Sequence, residues 1–560
     1  MIFKSLSLLV LVFHIIVCDL KEEVKTKHGT IKGKKLTVND IEVFQYTGIP
    51  YAKPPTGDRR FGKPQSLDES NENIDATKPA RSCMQGLIDV GYESKYFNDS
   101  QHNQSEDCLQ LNIWVPKNSN KRVLVFIHGG GFRFGSSSLD IYNGSVLAAN
   151  TGLIIVTINY RLGIFGFGYM SKGDNMTGNM GLLDQQMALQ WVNQNIDKFG
   201  GDSKRITLWG YGSGAISASA HLFSKESEAY FQKLILMSGS INSLLGFINK
   251  EFVDGTTRLA SLKLNCNKHK HKEIFDCMYN KSLTDIVNAS EKVVTKINMP
   301  TTMGFNIIPE DQVFFKGSLF DKIKRGDMKY YVDVLFGMPN NSGSFFLPAL
   351  WGRNHFGCEY SQIFNYTDKT CKLNETNYND FFKYIKVPLK LNESSVEKMK
   401  NKYKSSDNDY RSSATKFLTD ASIRCRLIDF ARDINIKTHG TFYGYYFDSF
   451  KTKDNFPEWM ASTHGDELYY AFGVPLRKKV LNKRRNLEME LSTKMMDMIK
   501  NFTELNNFYP KWEKFTDSYR RGFSIDLQFD PVNDPVIIDD METDECKELL
   551  PLLHKHLYAL

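Results

Sequence analysis

Residues Ile206 to Ser217 read ITLWGYGSGAIS, and the reading of this stretch decides the fold. Ile206 to Trp209 is a short apolar run bounded by turn residues, the form of a strand buried on both faces. Gly210 to Gly214 is a tight glycine-rich turn, and a helix starts behind it. Strand, turn and helix together follow the pattern G-x-S-x-G, a strained elbow that lifts a serine hydroxyl above the end of a sheet. Gly210 and Gly214 fill the outer places. The centre, where the serine belongs, holds Gly212. Ser213 comes one residue late, and a shift does not bring it to the centre. That would need glycines at 211 and 215, where Tyr211 and Ala215 stand. The turn raises only its central side chain, so Ser213 is expected to be a packed or capping serine.

Outward from the elbow, Val123 to Ile127 is a second continuous apolar run and leads into His128-Gly129-Gly130-Gly131-Phe132. Consecutive glycines after a buried strand let backbone N–H groups converge on a developing oxyanion. Gly130 and Gly131 are the expected donors. The third is Ser213, whose N–H follows the elbow centre. Further short apolar strands are expected at Leu109 to Val115, Leu153 to Ile158, Lys233 to Met237 and Val332 to Phe336. An antiparallel hairpin is expected within residues 22–47. Ala188, Val192, Ile196 and Phe199 share one helical face, as do Leu427, Phe430, Ala431 and Ile434. The stripe Leu491, Met495, Met498 and Phe502 reads as core packing and not as a cofactor contact. Strands alternating with helices imply an α/β fold with a large, mostly parallel, doubly wound central sheet flanked by helices.

The chain has 560 residues, and its 41% hydrophobic content suffices for one large core. No linker, charge run or internal repeat divides it, so a single domain with long loop insertions is expected. Met1 to Cys18, MIFKSLSLLVLVFHIIVC, has one basic residue and then a short apolar run. It reads as a signal peptide cleaved near Cys18–Asp19, leaving residues 19–560 as the domain. An N-terminal membrane anchor is the alternative. No later apolar run is long enough for a spanning helix. Eleven N-x-S/T sequons, among them Asn98, Asn143, Asn340 and Asn392, suit a secreted, extracellular glycoprotein.

The net charge of +7 is spread along the chain, which argues against a nucleic-acid partner. Of nine cysteines, eight remain after Cys18, an even number suited to an oxidising compartment. Eight cysteines allow 105 pairings, so spacing alone leaves the connectivity open. No His/Cys cluster has metal-site spacing, and neither a metal nor a cofactor is expected.

Longer stretches resemble the cholinesterase and type-B carboxylesterase family, which has the α/β-hydrolase fold. They are Ser105-Glu106-Asp107-Cys108-Leu109, HGGGFRFGSSSLDIYNG at His128 to Gly144, NMGLLDQQMALQWVNQNIDKFGGD at Asn179 to Asp202, and EWMASTHGDELYYAFGVPL at Glu458 to Leu476. The resemblance runs from about Val24 to about Leu553. It implies the disulfides Cys83–Cys108, Cys266–Cys277 and Cys425–Cys546, with Cys358–Cys371 as an addition.

The resemblance also implies a triad of serine, glutamate and histidine, and here it breaks. His464 in STHGDE occupies the base position. The acid segment of the family reads G-x-x-x-D-E-G-x-x-F. In this chain it runs from Gly337 to Phe346 and puts Ser342 where the glutamate belongs. Gly212 replaces the nucleophile, so an acyl intermediate has no side chain on which to form. The tryptophan that receives a quaternary ammonium group in the family is replaced near Tyr96 and Phe97. Arg133 follows the glycine loop, and a cation there would oppose a cationic substrate at the mouth of the gorge. Phe345, Phe346 and Trp459 would keep an apolar gorge wall.

The expected protein is thus a secreted, catalytically inactive relative of the cholinesterases, of the kind found among neuroligin-like members. It would bind a small ester or apolar ligand in the gorge, or a protein partner. The competing expectation is an active carboxylic-ester hydrolase with a displaced nucleophile. A homodimer through a helix at Glu545 to His556 is compatible with either.

Overall fold

The computed structural model describes residues 22–86, 103–171, 176–297, 304–348, 358, 371–387, 389–449, 457–478, 485–504 and 509–557. Its centre is an 11-stranded sheet. In chain order the strands are β1 (Lys34–Val38), β2 (Ile41–Pro50), β3 (Gln110–Pro116), β4 (Val123–Ile127), β5 (Ile154–Ile158), β6 (Ile206–Tyr211), β7 (Lys233–Met237), β8 (Asp333–Pro339), β9 (Phe442–Phe447), β10 (Gly522–Ile525) and β11 (Val536–Ile538). Across the sheet they run β11-β10-β9-β8-β7-β6-β4-β5-β3-β2-β1. Every pairing from β5 to β10 is parallel, and the pairings outside that block are antiparallel.

The expected hairpin within residues 22–47 divides in two. Glu23–Thr26 pairs with Gly29–Lys32 in a small separate sheet, and β1 and β2 form the edge of the large one. Sequence reading did not anticipate β9 and β10. FYGYYF and GFSI are short, aromatic and each carry a glycine, and only their parallel pairing beyond β8 makes them strands.

Side chains alternate between two cores along the central strands. Val123, Val125 and Ile127 face one side with Leu182, Ala188 and Val192 of α1 (Met180–Asn195) and Ala215 and Ala218 of α2 (Ser213–Ala220). Leu124 and Phe126 face the other. There Phe126 lies 4.6 Å from Trp209, and Trp209 stacks on Phe472 at 4.7 Å. The stripe Leu491, Met495, Met498 and Phe502 of the later helix Arg485–Glu504 packs into this second core.

β4 sits between β6 and β5, so the chain leaves β4 toward one side of the sheet and returns to the other. The loops at the carboxyl ends of β4 and β6 therefore meet at a topological switch point, where open α/β sheets hold their ligands.

Candidate active site

The elbow follows β6. Its neighbours are fixed by the sheet register, which places Gly210 beside Ile127 of β4 and Tyr211 beside Met237 of β7. Gly212 has φ 53° and ψ −120°, a conformation that side-chain-bearing residues rarely adopt. Its N–H donates to the Met237 carbonyl at 2.9 Å, and its carbonyl accepts from Ile216 N at 3.0 Å. The outer glycines answer to close packing. A Cβ on Gly214 would lie 2.0 Å from the Ile127 carbonyl oxygen, and one on Gly210 would lie 2.2 Å from that of Gly214. Both are incompatible with any larger residue.

Beside β6, the loop after β4 takes three successive positive φ values, 120° at Gly130, 61° at Gly131 and 62° at Phe132. It lies against the elbow, since a Cβ on Gly129 would be 2.8 Å from the Tyr211 carbonyl oxygen. Among the described residues the amides of Gly130, Gly131 and Ser213 make no hydrogen bond. Ser213 itself is buried, with its hydroxyl beside that of Tyr160, and no hydrogen bond joins it to His464. The Tyr160 hydroxyl donates to the His128 carbonyl at 2.9 Å, and its ring stacks on His128 at 4.6 Å.

His464 arrives from the far side, on the loop after β9. Thr463 N donates to Asp466 Oδ2 at 3.0 Å, and Gly465, at φ 89°, turns the chain into the helix Asp466–Ala471. The imidazole is 8% exposed. It packs between Tyr211 at 4.9 Å, Phe346 at 5.0 Å and Phe345 at 5.7 Å. Burial among these rings pushes its pKa down to about 3, so it is neutral at ordinary pH. The ring is aimed at the elbow. A Cβ built on Gly212 would lie 3.4 Å from His464 Nε2 and 3.9 Å from Cε1, with no other described atom within 4 Å apart from chain neighbours. The place expected of a nucleophile is thus open and faces His464.

The position expected of the acid carries no charge. Ser342 follows β8, is fully buried, and donates its hydroxyl to the Pro339 carbonyl at 3.0 Å. Its loop is laced to the segment that carries His464. Asn341 Nδ2 donates to the carbonyls of Trp459 (3.3 Å) and Met460 (3.0 Å), and Ser344 Oγ lies 2.8 Å from Thr463 Oγ1. Yet His464 Nδ1, which in a triad donates to the acid, has no hydrogen-bond partner among the described residues. Buried Glu467 accepts instead from Ser238 Oγ at 2.6 Å. Sequence reading missed this pair, because Ser238 lies at the end of β7 and no motif marks it.

Arg133 departs from expectation. It does not present a free cation at the mouth. Its guanidinium is buried and forks onto the Glu291 carboxylate, with Nε 3.1 Å from Oε1 and a second, shorter contact from Nη2 to Oε2. Glu291 belongs to the helix Leu283–Ile297, so the pair ties the loop after β4 to that helix and cancels the charge. Trp459 carries the Arg411 guanidinium over its ring at 4.8 Å. Tyr96 and Phe97 lie outside the described residues. Disulfides join Cys83–Cys108, Cys266–Cys277, Cys358–Cys371 and Cys425–Cys546.

Comparison with known proteins agrees with this fold. A model described as "Carboxylesterase family" matches residues 20–546. An acetylcholinesterase of Bungarus fasciatus is 32% identical over 493 residues, covering 87% of this chain and 78% of the relative. A cholinesterase of Mus musculus is 32% identical over 464 residues, covering 82% and 74%. An acetylcholinesterase of Danio rerio is 31% identical over 539 residues, covering 89% and 82%. With an α/β-hydrolase sheet, a glycine-held elbow at its switch point and these relatives, the chain belongs to the carboxylesterase family, among its cholinesterase-like members.

Proposed function

We infer that this protein is a secreted, cholinesterase-like glycoprotein that no longer hydrolyses esters through an acyl-enzyme. It acts by binding a small ester or apolar ligand at the degenerate site, or a protein partner. The observation that carries this reading is Gly212 in the elbow conformation, directly before a neutral His464, with no side chain to attack a carbonyl. Ser342 at the acid position adds to it, since its hydroxyl is spent on Pro339. Loss of a nucleophile costs roughly 10⁶-fold in turnover, and the oxyanion donors and binding together keep about 10³ to 10⁴ over water.

The leader at residues 1–18, the sequons and the paired cysteines support an extracellular location. No helix among the described residues is long and apolar enough to cross a membrane. A homodimer through the C-terminal helix Asp544–Leu557 belongs to the same proposal. Leu549, Leu550 and Leu553 of that helix are buried within the protomer, so its contact would be made by the opposite face. Sedimentation of the purified protein reads this directly.

The test of function is hydrolysis of acetylthiocholine and a short-chain aryl ester by the glycosylated protein beside its Gly212→Ser/Ser342→Glu variant. A silent natural protein and an active variant support the reading. Turnover by the natural protein, stopped by an organophosphonate that labels a serine, overturns it.

A further inference from the structure

In a working triad the acid accepts Nδ1–H of the histidine. That fixes the tautomer in which Nε2 carries a lone pair and acts as a base toward the nucleophile. Here no described residue accepts from His464 Nδ1, and Ser342 turns its hydroxyl to the Pro339 carbonyl. A neutral imidazole holds one N–H. Placed on Nδ1, it is a buried donor without an acceptor, the least tolerated kind of unsatisfied group. Placed on Nε2, it points into the open space before Gly212, where a ligand atom can receive it. The loss of the acid therefore turns His464 from an acceptor into a donor at the nucleophile position.

The surroundings become donors throughout. Among the described residues the amides of Gly130 and Gly131 are unclaimed, and so is that of Ser213 at the start of the eight-residue helix α2. With His464 Nε2–H they offer four N–H groups, and neither a nucleophile nor a triad carboxylate remains to repel an anion. Two buried carboxylates follow His464 in the chain: Glu467 accepts from Ser238 Oγ, and Asp466 accepts from Thr463 N. Phe345, Phe346 and Tyr211 wall the imidazole with aromatic surface.

The geometry points to a receptor for a carboxylate on an apolar body, with the carboxylate oxygens held by His464 Nε2–H and the amides of Gly130, Gly131 and Ser213. This rests on the binding reading above and specifies its ligand class. A carboxylate offers two charged acceptor oxygens to a set of donors that a neutral ester meets with one weaker oxygen.

The test is a fluorine NMR titration of the full-length protein with 4-fluorophenylacetate and with its methyl ester, together with nitrogen-15 shifts of the His464 ring. The carboxylate is expected to bind at least ten-fold tighter than the ester. His464→Ala is expected to weaken the carboxylate about ten- to hundred-fold while leaving the ester nearly unchanged. The ring shifts should report a protonated Nε2 and a bare Nδ1. An ester that binds as well as the acid, an unchanged His464→Ala affinity, or a protonated Nδ1 overturns the carboxylate assignment, and so does the absence of binding by either probe. An ester bound intact in the first of these cases leaves the binding reading standing. Hydrolysis of the ester by the natural protein refutes the binding reading itself.

Discussion

Restoring the nucleophile alone should fail, and by a definable margin. Gly212→Ser places a Cβ 3.4 Å from His464 Nε2 with room around it, so the serine fits sterically. Its backbone remains at φ 53°, ψ −120°, which costs a side-chain-bearing residue about 1–3 kcal/mol. A slightly lower melting temperature is therefore expected. On the tautomer proposed above, the recovered hydroxyl faces an Nε2–H instead of a lone pair, because no described residue accepts from Nδ1. Loss of the acid with geometry intact costs about 10⁴-fold in a working serine hydrolase, equivalent to about 5 kcal/mol of barrier. Of the roughly 10⁶ that a complete triad supplies, Gly212→Ser should thus regain about 10², and Ser342→Glu in the same chain should add about 10⁴.

Ser342→Glu also destroys the sequon at Asn340, so the matched control is Gly212→Ser/Ser342→Gln, which loses the same sequon without gaining charge. Initial rates on an aryl ester, active-site titration with an organophosphonate and a thermal melt for each variant complete the assay. If the single variant turns over as fast as the Glu double variant, or the Gln control matches it, then Ser342 is not at the acid position and the tautomer argument falls.

The outer elbow glycines are expected to be intolerant for a different reason. Gly214→Ala drives its methyl into the Ile127 carbonyl at 2.0 Å and should cost on the order of 3 kcal/mol or prevent folding. Gly255→Ala, with open space in the helix Lys250–Lys263, should stabilise by about 0.5–1 kcal/mol, and denaturant melts compare the two. Glu291→Gln leaves the buried Arg133 guanidinium without its counter-charge and should lower stability by about 2 kcal/mol in the same melts, whereas a neutral result would show the pair to be solvated.

Burial holds His128 down to about 4, and His221 and His464 down to about 3, against 6.5 unfolded. Between those values the unfolded chain binds more protons. The stability tied to these neutral rings is therefore full above pH 6.5 and is lost as pH falls, by about 1.4 kcal/mol per pH unit for each ring. Melts between pH 6.5 and 5, above the range in which most carboxylates titrate, should show this slope. A flat profile refutes it.

Much of the fold was legible because buried parallel strands are nearly uniform apolar runs. Val123 to Ile127 and Lys233 to Met237 are strands over the residues expected of them, and Ile206 to Trp209 extends by only two residues to Tyr211. The outer strands were not legible, since Phe442–Phe447 and Gly522–Ile525 carry no alternation and owe their state to the neighbour already in place. At the site, glycine and histidine positions could be read from local patterns. Partnerships could not. That Arg133 is neutralised by Glu291, 158 residues away, and that Ser238 holds Glu467, 229 residues away, are consequences of the fold with no trace in spacing.

The elbow glycines carry one more consequence. Gly210 and Gly214 are required by the contact of strand, helix and neighbouring strand, whether or not any reaction occurs. Such positions persist under selection for folding alone, while the position between them is released once catalysis is dispensable. The hallmark pattern of this family is therefore two superposed records. One is an architectural record that a descendant must keep, and the other a chemical record that it is free to erase. Counting matched motif positions in a distant relative measures the first and is silent on the second.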